Sequence, residues 1–219
     1  MKNKENKLIY CGLRMLMVFA LFTVAVKTID VQTVGVNGSE IGFAALNCWF
    51  HQLTSVNFTL YTITDWLGII PLCVCAIFGL KGLVQLLQRK SIFKVDIDII
   101  MLGVYYVMVI FSFVVFEIFP VNYRPVLING ALEASYPSST TLLVITIMPA
   151  LAFYCVRNCK NKGNGKIVSI LANTFAVAMI VVRTLSGVHW LTDIIAALLL
   201  GTGLFCVYKG RVLLYDNKK

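Results

Sequence analysis

The chain has 219 residues, of which 59% are hydrophobic and only 13% charged, and its mean hydropathy is +0.84. A soluble domain carries about 25% charged residues, so most of this chain does not face water. The net charge of +9 does not point to nucleic acid, because the Lys and Arg residues fall in short clusters between apolar runs rather than over one soluble face.

Six apolar runs follow in order, each near the ~20 residues that cross a bilayer. They cover about 8–27, 62–86, 97–119, 138–156, 167–183 and 189–208. The first resembles a secretory signal, with Lys2, Lys4 and Lys7 ahead of it. Arg14 interrupts it and no small-residue cleavage site follows, so a retained span is expected. The 28–61 segment is long for a connection and contains Gly35, Asn37, Gly38 and Gly42. Its amphipathic stretch from Phe43 to Phe50 suits a piece lying in the membrane interface, or an ordered outer loop. The expected architecture is therefore all-α: one membrane-embedded helical bundle over 1–219 with six transmembrane helices.

Charge sets the expected orientation. Lys2, Lys4 and Lys7 share a side with Lys81, Arg89, Lys90 and Lys94, with Arg157, Lys160, Lys162 and Lys166, and with Lys209, Arg211, Lys218 and Lys219. Those are 15 of the 19 basic residues. The positive-inside rule then makes both termini cytoplasmic and leaves the 28–61 and 120–137 segments outside. An integral protein of the plasma membrane is expected. The seven cysteines form no framework: most lie in or beside apolar runs, and Cys155 and Cys159 have no neighbouring His, so no zinc site is expected.

Three clusters meet at the outer ends of spans three to six: Asn122-Tyr123-Arg124-Pro125, then Tyr136-Pro137-Ser138-Ser139-Thr140, then Arg183 to Asp193. His189 and Asp193 are four apart at the start of the sixth span, so a helix there puts them on one face. A carboxylate so placed fixes the imidazole tautomer and leaves the other ring nitrogen free as base or nucleophile. Ionisable groups at a membrane edge are costly and usually functional, and Arg183 and Arg124 lie on the same side. Pro137 and Ser138 read as a helix start whose free backbone N–H groups suit an anion such as phosphate.

The order Arg-Pro, Pro-Ser-x-x and Arg-x5-His-x3-Asp over residues 117–193 resembles the type 2 phosphatidic acid phosphatase superfamily. The family pattern is Lys-x6-Arg-Pro, Pro-Ser-Gly-His and Ser-Arg-x5-His-x3-Asp on a helical bundle. The resemblance implies that Arg124, Arg183, Ser138 and Ser139 bind phosphate. It implies that His189 attacks phosphorus to form a phosphohistidine, with Asp193 orienting it. No metal or other cofactor is implied, and the arginines already supply positive charge. The chain departs from the pattern at Glu117, which replaces the Lys, at Ser139, at Val182 and at Thr140. Thr140 stands where the family has the His that protonates the leaving oxygen, and losing a general acid costs about 10² to 10⁴ in rate.

Three functions remain open: a membrane phosphatase of lipid phosphates or diphosphates (polyprenyl diphosphate or phosphatidate type), impaired by Thr140 and with its site at the extracytoplasmic face; a non-catalytic lipid-phosphate-binding membrane protein; and a transporter. The last would want charged or broken helices near the bilayer middle, whereas the charges here sit at span ends. The orientation is testable by cysteine-accessibility labelling. The 120–137 segment should react from outside and the 157–166 segment only from within; the reverse pattern would overturn it.

Overall fold

The structure, a computed structural model, describes residues 2–217. Lys218 and Lys219, counted above among the basic residues of one side, lie outside the described residues. Helices occupy α1 (Lys2–Thr28), α2 (Ala44–Thr54), α3 (Phe58–Leu67), α4 (Ile69–Arg89), α5 (Ile97–Ile118), α6 (Ser139–Asn158), α7 (Lys162–Leu185) and α8 (Leu191–Asp216). Six candidate membrane spans result, with α3 and α4 joined into one run from Phe58 to Arg89. The expected helical bundle is therefore present. Its flanks expose Met17, Leu21, Trp66, Leu87 and Phe111, as a surface solvated by lipid requires.

Helix α8 is the central post. Its small residues let neighbours approach backbone to backbone: a Cβ on Gly12 of α1 would lie 2.7 Å from the Gly203 carbonyl oxygen. Such contacts are how membrane helices gain packing energy without a hydrophobic drive. Around α8 the core gathers Leu102, Leu142, Ile147, Ala197, Leu200 and Leu204. Tyr105 of α5 stacks on Tyr208 with centroids 4.6 Å apart and donates to the Thr146 carbonyl at 3.1 Å. At the end of the bundle away from the motifs, Arg157 pairs with Asp98 at 3.2 Å and Asp216 at 2.6 Å, tying α6 to α5 and α8.

The motif-bearing end differs from expectation in three places. The second span starts at Phe58 rather than near 62, because the Asn57 side chain caps α3 by accepting from the Leu60 N–H at 3.0 Å. The sixth begins at Leu191, so His189 precedes the helix instead of lying on it. The third difference is a short hairpin in the segment after α5. Tyr123 bridges to Ala134 and Ile128 to Ala131, around Asn129 and Gly130 with φ of 51° and 79°. Asn-Gly is the pair that accepts positive φ at both turn positions.

The 28–61 segment folds over this end. Buried Asn47 of α2 donates to the Gly42 carbonyl at 2.8 Å and to the Thr192 hydroxyl at 3.0 Å, and accepts from the Thr192 N–H at 3.2 Å. The Asn57 N–H bonds the Ser186 carbonyl at 2.9 Å. Gly187, at φ +67°, lies so close to that strap that a Cβ there would meet the Ser55 carbonyl oxygen at 1.7 Å.

Gly130 offers a control, since its φ is +79° but nothing lies within 4 Å of an added Cβ. Gly130→Ala should lose about the 1–2 kcal/mol of a left-handed non-glycine residue. Gly187→Ala should lose clearly more, measured as thermal unfolding in detergent. Equal losses would mean that the strap does not press on the α7–α8 turn.

Candidate active site

Burial of charge marks the site. Arg183, near the end of α7, is 1% exposed, and Arg124, on the first arm of the hairpin, is 7% exposed. Both converge on His189: Arg124 Nη1 lies 3.3 Å and Arg183 Nη2 3.5 Å from His189 Nε2. A guanidinium can only donate. Nε2 is therefore the bare acceptor nitrogen, and the ring proton sits on Nδ1. Burial first, then the charges of Arg124 and Arg183, hold the His189 pKa well below the usual histidine value. The imidazole is neutral, with its lone pair pointing between two cations.

Each arginine is held by its surroundings. Arg183 Nη1 donates to the Thr64 hydroxyl at 3.0 Å, and its guanidinium lies 4.8 Å above the Tyr61 ring, a contact worth about 2 kcal/mol when desolvated. Arg124 Nε lies 3.0 Å from Glu133 Oε2. That ion pair lacks hydrogen-bond alignment, since Arg124 Nε has no hydrogen-bond partner. The hairpin supplies it, with the Arg124 N–H bonded to the Glu133 carbonyl at 3.0 Å.

Asp193 does less for His189 than the spacing suggested. The two groups are near, Nδ1 to Oδ2 at 3.7 Å, but this exceeds a hydrogen bond. Asp193 Oδ2 instead accepts from the Trp190 N–H at 2.9 Å, and so caps α8. His189 Nδ1 and Asp193 Oδ1 are both buried without a hydrogen-bond partner, as are Asn122 Nδ2 and Ser135 Oγ. The Asn122 and Ser135 side chains act on the Asp193 carboxylate, and the Ser135 backbone faces the imidazole. A shift of a few tenths of an ångström would draw Nδ1–H onto the carboxylate.

The remaining expected residues divide. Ser138 opens α6 but does not cap its backbone; its hydroxyl donates to Thr141 Oγ1 at 3.0 Å. Ser138 N–H bonds the Asp193 carbonyl at 3.1 Å, which fixes the α6 start against α8. A cavity of about 230 Å³ beside Arg124 is lined by Ser139, Glu117, Glu133, Ser135 and Tyr136 among others. Thr140 faces elsewhere, into a larger apolar cavity of about 530 Å³ with Gly68, Leu72, Ile110, Phe113 and Leu143. His51 packs on the Trp190 ring with centroids 5.4 Å apart; burial lowers its pKa, opposed by a hydrogen bond with the Gly187 backbone. Among the described residues, no group of three or more His, Cys, Asp and Glu side chains is placed to hold a metal ion.

Sequence reasoning missed Tyr61, Thr64, Glu133 and Asn47. Only Glu133 had a local signal. The Asn129-Gly130 pair marks a hairpin, and its pairing sets Glu133 across from Arg124.

The site thus lies at one end of a helical membrane bundle, where two buried arginines meet a neutral histidine. The chain belongs to the PAP2 superfamily, whose family model matches residues 99–213. Its fold is similar to the crystal structure of the first transmembrane PAP2 type phosphatidylglycerolphosphate phosphatase from Bacillus subtilis. The TM-score is 0.65 at 18% identity, covering 95% of this chain and 97% of that one. No functionally curated protein matches the sequence.

His189→Ala should abolish phosphate release from lipid phosphates while leaving expression and membrane insertion intact; retained activity would exclude His189 as the nucleophile. Asp193→Asn, which still presents a carbonyl oxygen to the Trp190 N–H, should lose less activity than His189→Ala.

Proposed function

We propose that this protein is a membrane lipid phosphatase that hydrolyses lipid phosphates or diphosphates at the extracytoplasmic face through a phosphohistidine at His189. The observation that carries this reading is the approach of Arg124 and Arg183 to the bare Nε2 of a neutral imidazole. Two like charges ~6 Å apart at an effective dielectric of ~20 repel by about 3 kcal/mol. A phosphoryl group between them relieves that repulsion and brings phosphorus to the nucleophile.

The chemistry then follows in two steps. The Nε2 lone pair attacks phosphorus, the bond to the leaving oxygen breaks, and the guanidinium N–H groups hold the charge on the equatorial oxygens. Asp193 stabilises the proton on Nδ1 as the ring becomes cationic. Water then hydrolyses the phosphohistidine and restores the neutral ring. A lipid substrate is supported by the apolar cavity, which shares Phe113, Ser139 and Leu142 with the polar one beside Arg124. A headgroup at the arginines would leave its chain beside Leu72, Ile110 and Leu143.

Position 140 decides which leaving groups depart. An alkoxide of high pKa needs a proton in the transition state, whereas the phosphate ester released from a lipid diphosphate leaves without one, helped by arginine contacts. Thr140 supplies no such proton. A second reading, a lipid-phosphate-binding protein without turnover, is favoured by this same residue and by Glu117 in place of a cation.

A phosphate-release assay on matched lipid mono- and diphosphates separates the cases. The protein should turn over diphosphates weakly and plain monoesters almost not at all. Thr140→His should raise monoester hydrolysis by about 10², against a few-fold for diphosphates. Equal rescue of both would remove the leaving-group argument. No turnover of either, before or after the change, would leave the binding protein.

A further inference from the structure

The cavity beside Arg124 has the wrong charge for phosphate alone. Its lining joins the nearly buried Arg124 to two carboxylates, Glu117 and Glu133, and to Ser135, Tyr136 and Ser139. Glu133 already pairs with Arg124 at 3.0 Å. Arg183 in turn feels both Glu133 and Asp65. Glu133 and Asp65 thus bear on the two guanidiniums, Glu117 stands on the wall of the cavity beside Arg124, and the imidazole between the guanidiniums is neutral.

Glu117 is the unexplained member. It sits in the last turn of α5, a helix that otherwise carries charge only at Asp98 in its first turn. Among the described residues it has no ion-pair or hydrogen-bond partner. Ionisable residues within membrane-spanning helices are rare and usually mark function. An unpaired carboxylate opening on the cavity that holds a phosphate-binding arginine calls for a cation. The buried Ser135 hydroxyl lines the same cavity and has no hydrogen-bond partner.

We propose that the site takes a zwitterionic headgroup, a phosphate ester carrying a protonated amine a few bonds from phosphorus. This rests on the phosphate-site reading above. The phosphoryl oxygens lie between Arg124 and Arg183 at His189 Nε2. The ammonium group lies in the adjoining cavity, where Glu117 accepts its N–H bond while Glu133 is held by Arg124. Ser135 and Ser139 offer neutral acceptors on the same wall. Glu117 is then a specificity residue, and the loss of a lysine at that position is a change of ligand.

The test is calorimetric binding to the purified full-length protein in detergent, with phosphoethanolamine, ethyl phosphate and inorganic phosphate as probes. Phosphoethanolamine should bind about tenfold more tightly than ethyl phosphate, the scale of one charge-assisted hydrogen bond. Glu117→Gln should erase that difference without weakening ethyl phosphate, and Glu117→Lys should reverse it. Glu117 is exposed, so both variants should fold, as their unfolding temperatures would verify. Equal binding of the two esters, or a preference that survives Glu117→Gln, would overturn this inference and leave the phosphate site standing. Binding of no phosphate-bearing probe would overturn both.

Discussion

Two guanidinium groups buried against one imidazole nitrogen make a demand that the motif-bearing half of the bundle is built to meet. Charge withdrawn from water costs several kcal/mol per ion unless it is paired and hydrogen-bonded. Here each arginine has its own compensation: the Tyr61 ring face and Thr64 hydroxyl for Arg183, and Glu133 for Arg124. Neither compensation reaches the side of the guanidinium that faces His189. On that side the neutral imidazole accepts from both guanidiniums and adds nothing to their repulsion.

Holding this geometry requires parts of the chain far apart in sequence. Arg183 comes at the end of α7, His189 from the turn that follows, and Arg124 from a hairpin after α5. The turn is pinned from above, since the Asn57 N–H bonds the Ser186 carbonyl and Gly187 leaves no room for a side chain. The hairpin is pinned through the Trp190 indole, which donates to the Tyr123 carbonyl at 2.7 Å. Asp193 closes the arrangement by capping α8 and bonding the start of α6 through its backbone. The 28–61 segment is thus part of the scaffold of the site rather than a connection beside it.

Much of this was legible in the sequence, and the reasons for the remainder are physical. Hydropathy reveals the spans because lipid requires apolar residues over a fixed length. It fails at the ends, where caps decide: Asn57 extended one helix and the Trp190–Asp193 cap shortened another, which moved His189 off the helix. The arginine, histidine and aspartate positions could be read from spacing. Their second partners could not, since Thr64 reaches Arg183 across 119 residues. Glu133 was concealed by a hairpin in a segment read as loop, although Asn129-Gly130 announced the turn. Glu117 was visible only as a departure from a family pattern; its place beside Arg124 gives it a chemical meaning.

The protonation state of His189 is the point on which the account turns, and nitrogen-15 NMR of histidine-labelled protein measures it directly. The chain has only two histidines, so a His51→Gln variant assigns both signals. The account predicts a neutral His189 ring with its proton on Nδ1 and a bare Nε2, persisting as pH falls through the ordinary histidine range near 6.5, with the Nε2 signal moving when phosphate is added. An imidazolium at pH 6.5, or a proton on Nε2, would contradict it.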